Sequence, residues 1–187
     1  MEAVNICKSF GDKVVLQNFS HEFLKGRTTA ILGASGCGKS TLLNILMGLS
    51  APDSGEIVRE SDKISAVFQE NRLCENLTVS ANIRLVTGKR FSKKQIEREL
   101  NAVGLTDCAE KPVRTLSGGM KRRTALLRAL LAEYDILFLD EPFKGLDSET
   151  KSVILDYTSE KIKGKTVVLV THDLSECERL ADEVIRL

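Results

Sequence analysis

The chain has 187 residues and a formal net charge of +1, long enough to bury the core of one domain or of one domain with a subdomain. Such a balanced charge argues against general attraction to nucleic acid or acidic lipid, leaving local basic clusters such as Lys121, Arg122 and Arg123 as contact points. Five cysteines, odd in number and never spaced C-x-x-C, argue against a disulfide framework or zinc site and fit a reducing compartment; the apolar runs fall far short of the roughly 18 residues that span a bilayer, and the N-terminus lacks a signal-peptide core.

The opening "AVNICKSFGDKVVLQNFSHEF" alternates apolar and polar residues about a Gly11-Asp12 turn, which predicts antiparallel strands with one buried face. Phe10 stands just before that turn; an exposed aromatic there can stack on a nucleobase, although Phe is more often core. The next apolar runs, "TTAILG", "ISAVFQ", "YDILFLDEP" and "KTVVLVTHD", are short and nearly continuous, as in parallel strands covered on both faces. One helix is expected through "STLLNILMG" after Lys39, and another through "SETKSVILDYTSEKIK", capped by Asp147 and stopped at Gly164. Alternating strands and helices predict an α/β fold.

Between about Asn71 and Thr115 the alternation breaks. Within "SKKQIERELNAVG", Ser92 is an N-cap, Gln95 completes a capping box, Ile96, Leu100 and Val103 share a face, and Gly104 ends the helix. The segment reads as a helical insertion, with a peripheral packing unit as its plainer alternative. There is no low-complexity tract, long linker or internal repeat, so residues 1–187 read as one domain carrying a subdomain at about 71–115.

"GASGCGKST" comprises Gly33, Ala34, Ser35, Gly36, Cys37, Gly38, Lys39, Ser40 and Thr41, and fits G-x-x-x-x-G-K-[ST] between an apolar strand and a helix. The glycines let successive N–H groups face phosphates, Lys39 reaches the β- and γ-phosphates, and Ser40 ligates Mg²⁺. The competing reading is a glycine-rich turn before a helix. "DILFLDEP" brings Asp140 and Glu141 to the carboxyl end of a buried strand. There Asp140 can hold Mg²⁺ through its water shell and Glu141 can orient or deprotonate water, unless the pair merely caps the following turn. His172, ending "TVVLVTHD", is either a turn residue or a donor to a γ-phosphate; Gln69, ending "ISAVFQ", is either a polar strand terminus or a contact to metal or water. "TLSGGMKRR" adds Ser117, Gly118 and Gly119 at a helix start that exposes N–H groups to an anion, as if the chain carried a second phosphate site.

In this order, Phe10, "GASGCGKST", Gln69, "LSGGM", "ILFLDEP", "FKGLD" and "THD" resemble the nucleotide-binding domain of ATP-binding cassette (ABC) transporters over nearly the whole chain. The resemblance implies a P-loop NTPase with a mainly parallel RecA-like core sheet, an N-terminal antiparallel β subdomain and a helical insertion. It implies ATP and Mg²⁺ as cofactors: Phe10 stacks on adenine, Gly33 through Thr41 hold the phosphates, Ser40, Gln69 and Asp140 serve the metal, and Lys39, Gln69, Glu141 and His172 catalyse hydrolysis. It further implies a composite site, in which Ser117, Gly118 and Gly119 of one copy meet the γ-phosphate held by the other and Asp147 lies at the dimer interface. Expected partners are a homodimer mate or paired ABC ATPase, membrane-spanning permease subunits and a solute-binding protein, with no nucleic acid; the expected location is cytoplasmic, peripheral on the inner face of the membrane.

"FQENRL" and "EPFKGLD" resemble bacterial importer ATPases of the nitrate, sulfonate and taurine group, which favours import; "LSGGMKRR" also resembles export ATPases, so an exporter is the alternative. A cassette acting on DNA or ribosomes is a further alternative, disfavoured by the short segment between Gln69 and Ser117 and by room for only one cassette. The pattern departs from the family at Phe10, where Tyr is common, and at Met120, where Gln is commonest. The short stretch from Gly55 to Ile64 implies a reduced antiparallel subdomain. An end at "ADEVIRL", where many relatives continue, implies no C-terminal regulatory domain.

Overall fold

The first strands bury Ala3, Ile6 and Leu16, and a register shift between Ala3 and Ile6, where Asn5 stands at φ +50°, turns both of these side chains inward although they are three residues apart. In the computed structural model, which describes residues 1–61 and 63–187, strands β1 (Glu2–Phe10) and β2 (Lys13–Glu22) form the expected antiparallel hairpin. A third strand, β4 (Ser54–Val58), pairs with the other edge of β1, giving the order β2-β1-β4. Asp53 fastens this edge by accepting from Lys8 Nζ and the Ser9 backbone N–H, both at 2.7 Å. Gly55 makes the close approach possible: it has φ +86°, and a Cβ there would lie 2.4 Å from the carbonyl oxygens of Val4 and Asn5.

The chain divides into two compact units. The first comprises Met1–Ile64, Asp135–Asp140 and Gly164–Leu187. Besides the antiparallel sheet, it holds parallel strands β3 (Thr28–Leu32), β6 (Ile136–Asp140), β7 (Thr166–Thr171) and β8 (Glu183–Arg186), in the order β6-β7-β3-β8. All residues of β6 and β7 are buried, matching apolar runs whose polar residues, Asp140, Thr166 and Thr171, stand at the strand ends. Strand β5 (Ile64–Val67) begins at the end of this unit's first segment, and of its residues only Val67 is buried. Helix α1 (Lys39–Leu46) follows β3, and α6 (Leu174–Leu180) follows β7.

The second unit comprises Ser65–Tyr134 and Glu141–Lys163. It is mainly helical, with α2 (Val79–Thr87), α3 (Lys93–Ala102), α4 (Gly118–Leu130) and α5 (Ser148–Ile162). The Ser92–Gln95 capping box is present in both directions, and Ile96, Leu100 and Val103 are at most 3 % exposed. Helices α2 and α3 pack on α4. Asn82, fully buried on α2, bonds the backbones of Cys74 and Thr78, which pins the loop ahead of that helix. Among the described residues, no helix is long and apolar enough to cross a membrane.

Candidate functional site

In the first unit three sequence-selected elements reach one sheet edge. Leu32, the last residue of β3, is in register with Thr171 of β7, and Asp140, the last residue of β6, with Val170. The glycine-rich loop from Gly33, the Asp140 carboxylate and His172 therefore emerge together at the carboxyl ends of adjacent parallel strands, the ligand edge of open α/β sheets. The loop enters α1 through Gly38 at φ +109°, where a Cβ would meet Val15 Cγ1 at 2.7 Å. Ala34, Ser35, Gly36 and Ser40 face solvent, with Cys37 and Thr41 half-buried, so the start of α1 is open to an anion.

Lys39 is only 7 % exposed, and its ammonium donates to the carbonyls of Gly33 at 2.7 Å and Ala34 at 2.8 Å. This places the cation within the loop it is expected to serve. Asp140 is equally buried, whereas His172 is exposed. The turn that presents His172 is fixed from behind: buried Thr171 donates its hydroxyl to buried Glu176 at 2.6 Å and accepts from the Asp173 N–H.

Phe10 closes β1 at the hairpin tip and is 57 % exposed with Lys8 Nζ 5.6 Å from its ring centroid. The general preference of Phe for the core does not hold here, because a hairpin tip has no opposing layer, and the ring is open to stacking.

In the second unit the signature stretch begins α4 as expected. Ser117 is its N-cap and accepts from the Met120 N–H at 3.3 Å. A hydroxyl that accepts in this way still carries its own hydrogen, so capping and donation to an outside anion are compatible. Gly119 lies beside the "FKGLD" turn, for a Cβ on it would meet Leu146 Cδ2 at 3.6 Å. Asp147 caps α5 by accepting from the Thr150 N–H at 2.9 Å; bonds from the Thr150 backbone and side chain hold its carboxyl below the usual range. Gln69 is exposed, and Glu141 is half-buried with φ +48°, a left-handed conformation uncommon for a non-glycine residue.

One residue in this unit was not singled out from the sequence beyond its place in a basic cluster. Arg122 is 4 % exposed and donates to the carbonyls of Pro142, Phe68, Gln69 and Glu141 and to Asn71 Oδ1. The signal was helical phase: Ala125, Leu126 and Ala129, at i+3, i+4 and i+7 from it, form the buried face of α4.

The donor set suits Mg²⁺. Buried Asp140 and the exposed Ser40 hydroxyl are hard oxygen donors, and magnesium is commonly held by one or two protein oxygens together with waters and substrate phosphates. Among the described residues, no group of three or more His, Cys, Asp or Glu side chains is arranged to hold a metal by itself.

Comparison with known proteins identifies the family and the fold. A family model described as ABC transporter matches residues 16–144. The chain is 42 % identical to the aliphatic sulfonates import ATP-binding protein SsuB 1 of Agrobacterium fabrum, an alignment covering 97 % of this chain and 68 % of that protein. It is 40 % identical to SsuB 3 of Rhodococcus jostii, covering 96 % and 68 %. Among solved structures, the dimeric bacterial ABC transporter cassette MJ0796 superposes with a TM-score of 0.84 at 29 % identity, covering all of this chain and 93 % of that one. The glycine-rich loop from Gly33, Asp140 and His172 at the ends of their strands, and the helix capped by Ser117 are thus carried on an ABC cassette fold, and the chain belongs to the ABC transporter family.

Proposed function

We propose that the chain is the ATP-binding and ATP-hydrolysing subunit of an ABC importer, working as one domain with its helical subdomain at about 71–115. The observation that carries this reading is the convergence of the phosphate loop, Asp140 and His172 at the ends of β3, β6 and β7. The names of the relatives, aliphatic sulfonates import ATP-binding proteins, support import of an organosulfonate-like solute and give no support to export or to action on DNA or ribosomes. Selection of that solute belongs to permease subunits and a solute-binding protein. Attachment to them would place the chain on the inner face of the membrane.

The positions of the side chains support the following mechanism. The N–H groups of Gly33 through Thr41 and the Lys39 ammonium bind the phosphates, with Lys39 exchanging its carbonyl partners for phosphate oxygens. Ser40 and Asp140 would hold Mg²⁺, with Gln69 touching it or the attacking water, and the ion would supply positive charge to offset that of the phosphates. Glu141 orients or deprotonates the water, and His172 donates to the γ-phosphate. Phe10 stacks on adenine. Ser117, Gly118 and Gly119 complete the site on a second copy, in keeping with the dimeric form of MJ0796, and Asp147 lies along that interface. Closure then depends on ATP, because a γ-phosphate bridging two copies favours the closed state by its differential affinity.

The test is phosphate release by the purified chain with Mg²⁺-ATP. Activity that requires Mg²⁺, rises more than linearly with protein concentration and disappears in Lys39→Ala is expected. Unchanged turnover in Lys39→Ala overturns the assignment.

A further inference from the structure

We propose that Arg122 is a positioning residue for hydrolysis: its buried guanidinium grips the backbone of Gln69 and of Glu141 at once, aligning both side chains from a single helix. The inference rests on the roles given above to Gln69 and Glu141 and adds a residue outside the phosphate loop and the strand ends.

The contacts divide into two sets. On one side Arg122 Nε donates to Pro142 O at 2.9 Å and Nη2 donates to Glu141 O. On the other, Nη1 donates to Phe68 O, to Gln69 O at 3.2 Å and to Asn71 Oδ1 at 3.4 Å. A guanidinium can span two segments in this way because its donors project from a rigid plane in fixed directions; an ammonium cannot reach both.

Each gripped segment contains a backbone that calls for external support. Glu141 stands at φ +48°, and such conformations persist where surrounding contacts over-determine them. Its carbonyl also accepts from the Lys144 N–H at 3.1 Å, so two donors orient one peptide and with it the direction of the Glu141 side chain. In the other segment Arg72 stands at φ +43° with its guanidinium 3.6 Å from the Phe68 ring centroid, and its carbonyl accepts from Arg128 Nη2 at 3.0 Å. Residues 68–72 are therefore strapped to α4 twice, at Arg122 and at Arg128. Ser117, Gly118 and Gly119 begin the same helix, so a shift at its start is carried to both segments.

The experiment compares the wild-type chain, Arg122→Lys, Arg122→Gln and Glu141→Gln for kcat and KM of ATP hydrolysis, with hydrogen exchange at the Lys144 amide. In both Arg122 variants kcat should fall by about tenfold or more while KM stays within about threefold, and the Lys144 amide should exchange faster while α5 amides do not. Wild-type kcat in a folded Arg122→Lys or Arg122→Gln protein overturns the proposal. If Glu141→Gln is inactive in the same assay, the functional reading survives that result; if Glu141→Gln is fully active, the reading falls and takes the proposal with it. Should the Arg122 variants not fold, the wild type still decides: a gripped turn gives the Lys144 amide protection comparable to α4, and exchange at the rate of an open loop overturns the grip.

Discussion

The ammonium of Lys39 lies 2.7 Å from the carbonyl oxygen of Gly33, so the phosphate loop is closed on itself by the residue expected to serve the nucleotide. Replacing Lys39 with Ala removes the proposed phosphate ligand and, with its bonds to Gly33 and Ala34, the brace of the loop. Turnover should drop by about a hundredfold or more, an effect of the size seen when a charge-stabilising donor is lost, measured as phosphate release at saturating ATP.

Glu141→Gln keeps the size of the side chain but removes the carboxylate proposed to activate water. ATP should still bind and close two copies together, so the variant should elute as a dimer with ATP and as a monomer with ADP. A protein that stays monomeric with ATP would count against the composite site.

At Ser117, capping and nucleotide contact can be separated. Ser117→Asp preserves an N-cap acceptor, so thermal stability should change little, yet it sets a negative charge where a γ-phosphate is expected. Its kcat should collapse while nucleotide binding to the phosphate loop, followed with a fluorescent ATP analogue, remains close to wild type. Ser117→Ala should lose both the cap, at about 1 kcal/mol, and part of kcat.

Ser92→Ala tests local architecture away from the chemistry. Loss of the capping box should cost about 1 kcal/mol, or about 3 °C in midpoint temperature for a chain of this size, with ATP turnover per folded molecule unchanged.

Acid should weaken the fold through Asp53 and Asp147. Both carboxyls are held below the ordinary value of 3.8, Asp53 by the Lys8 side chain and then the Ser9 N–H, Asp147 by the Thr150 backbone and then its side chain. The folded form thus binds fewer protons than the unfolded one in that range. Their contribution is complete above the unfolded value and is lost as pH falls through the lowered values. Denaturant midpoints should therefore be flat with respect to these groups near neutrality and fall below about pH 4, less steeply in Asp147→Asn.

Much of this was legible in the chain itself. Elements with strong periodicity or clear caps, such as β6, β7, α3 and α5, formed where their residues pointed, and the "GASGCGKST" loop stood where strand and helix demanded. Short edge elements were harder to read. Strand β4 is held by Asp53 and by the clearance at Gly55, and β8 takes its place by pairing with β3; neither force leaves a local pattern. Thr171, Glu176 and Arg122 escaped notice for a related reason, since they act by holding the backbone of other residues. Phe10 shows the opposite case, where a residue's average preference was overruled by a hairpin tip with nothing packed above it.

The left-handed backbone at Glu141 sets sterics against chemistry at one position. Gly, Asn or Asp would rest there more comfortably than a longer side chain, so Glu141→Gly should raise the melting temperature while silencing the protein. A screen that rewarded heat resistance alone would discard this glutamate early, whereas one that rewarded growth on the transported solute would keep it. The residue's persistence in a stabilised lineage would then be a record of selection for work rather than for folding.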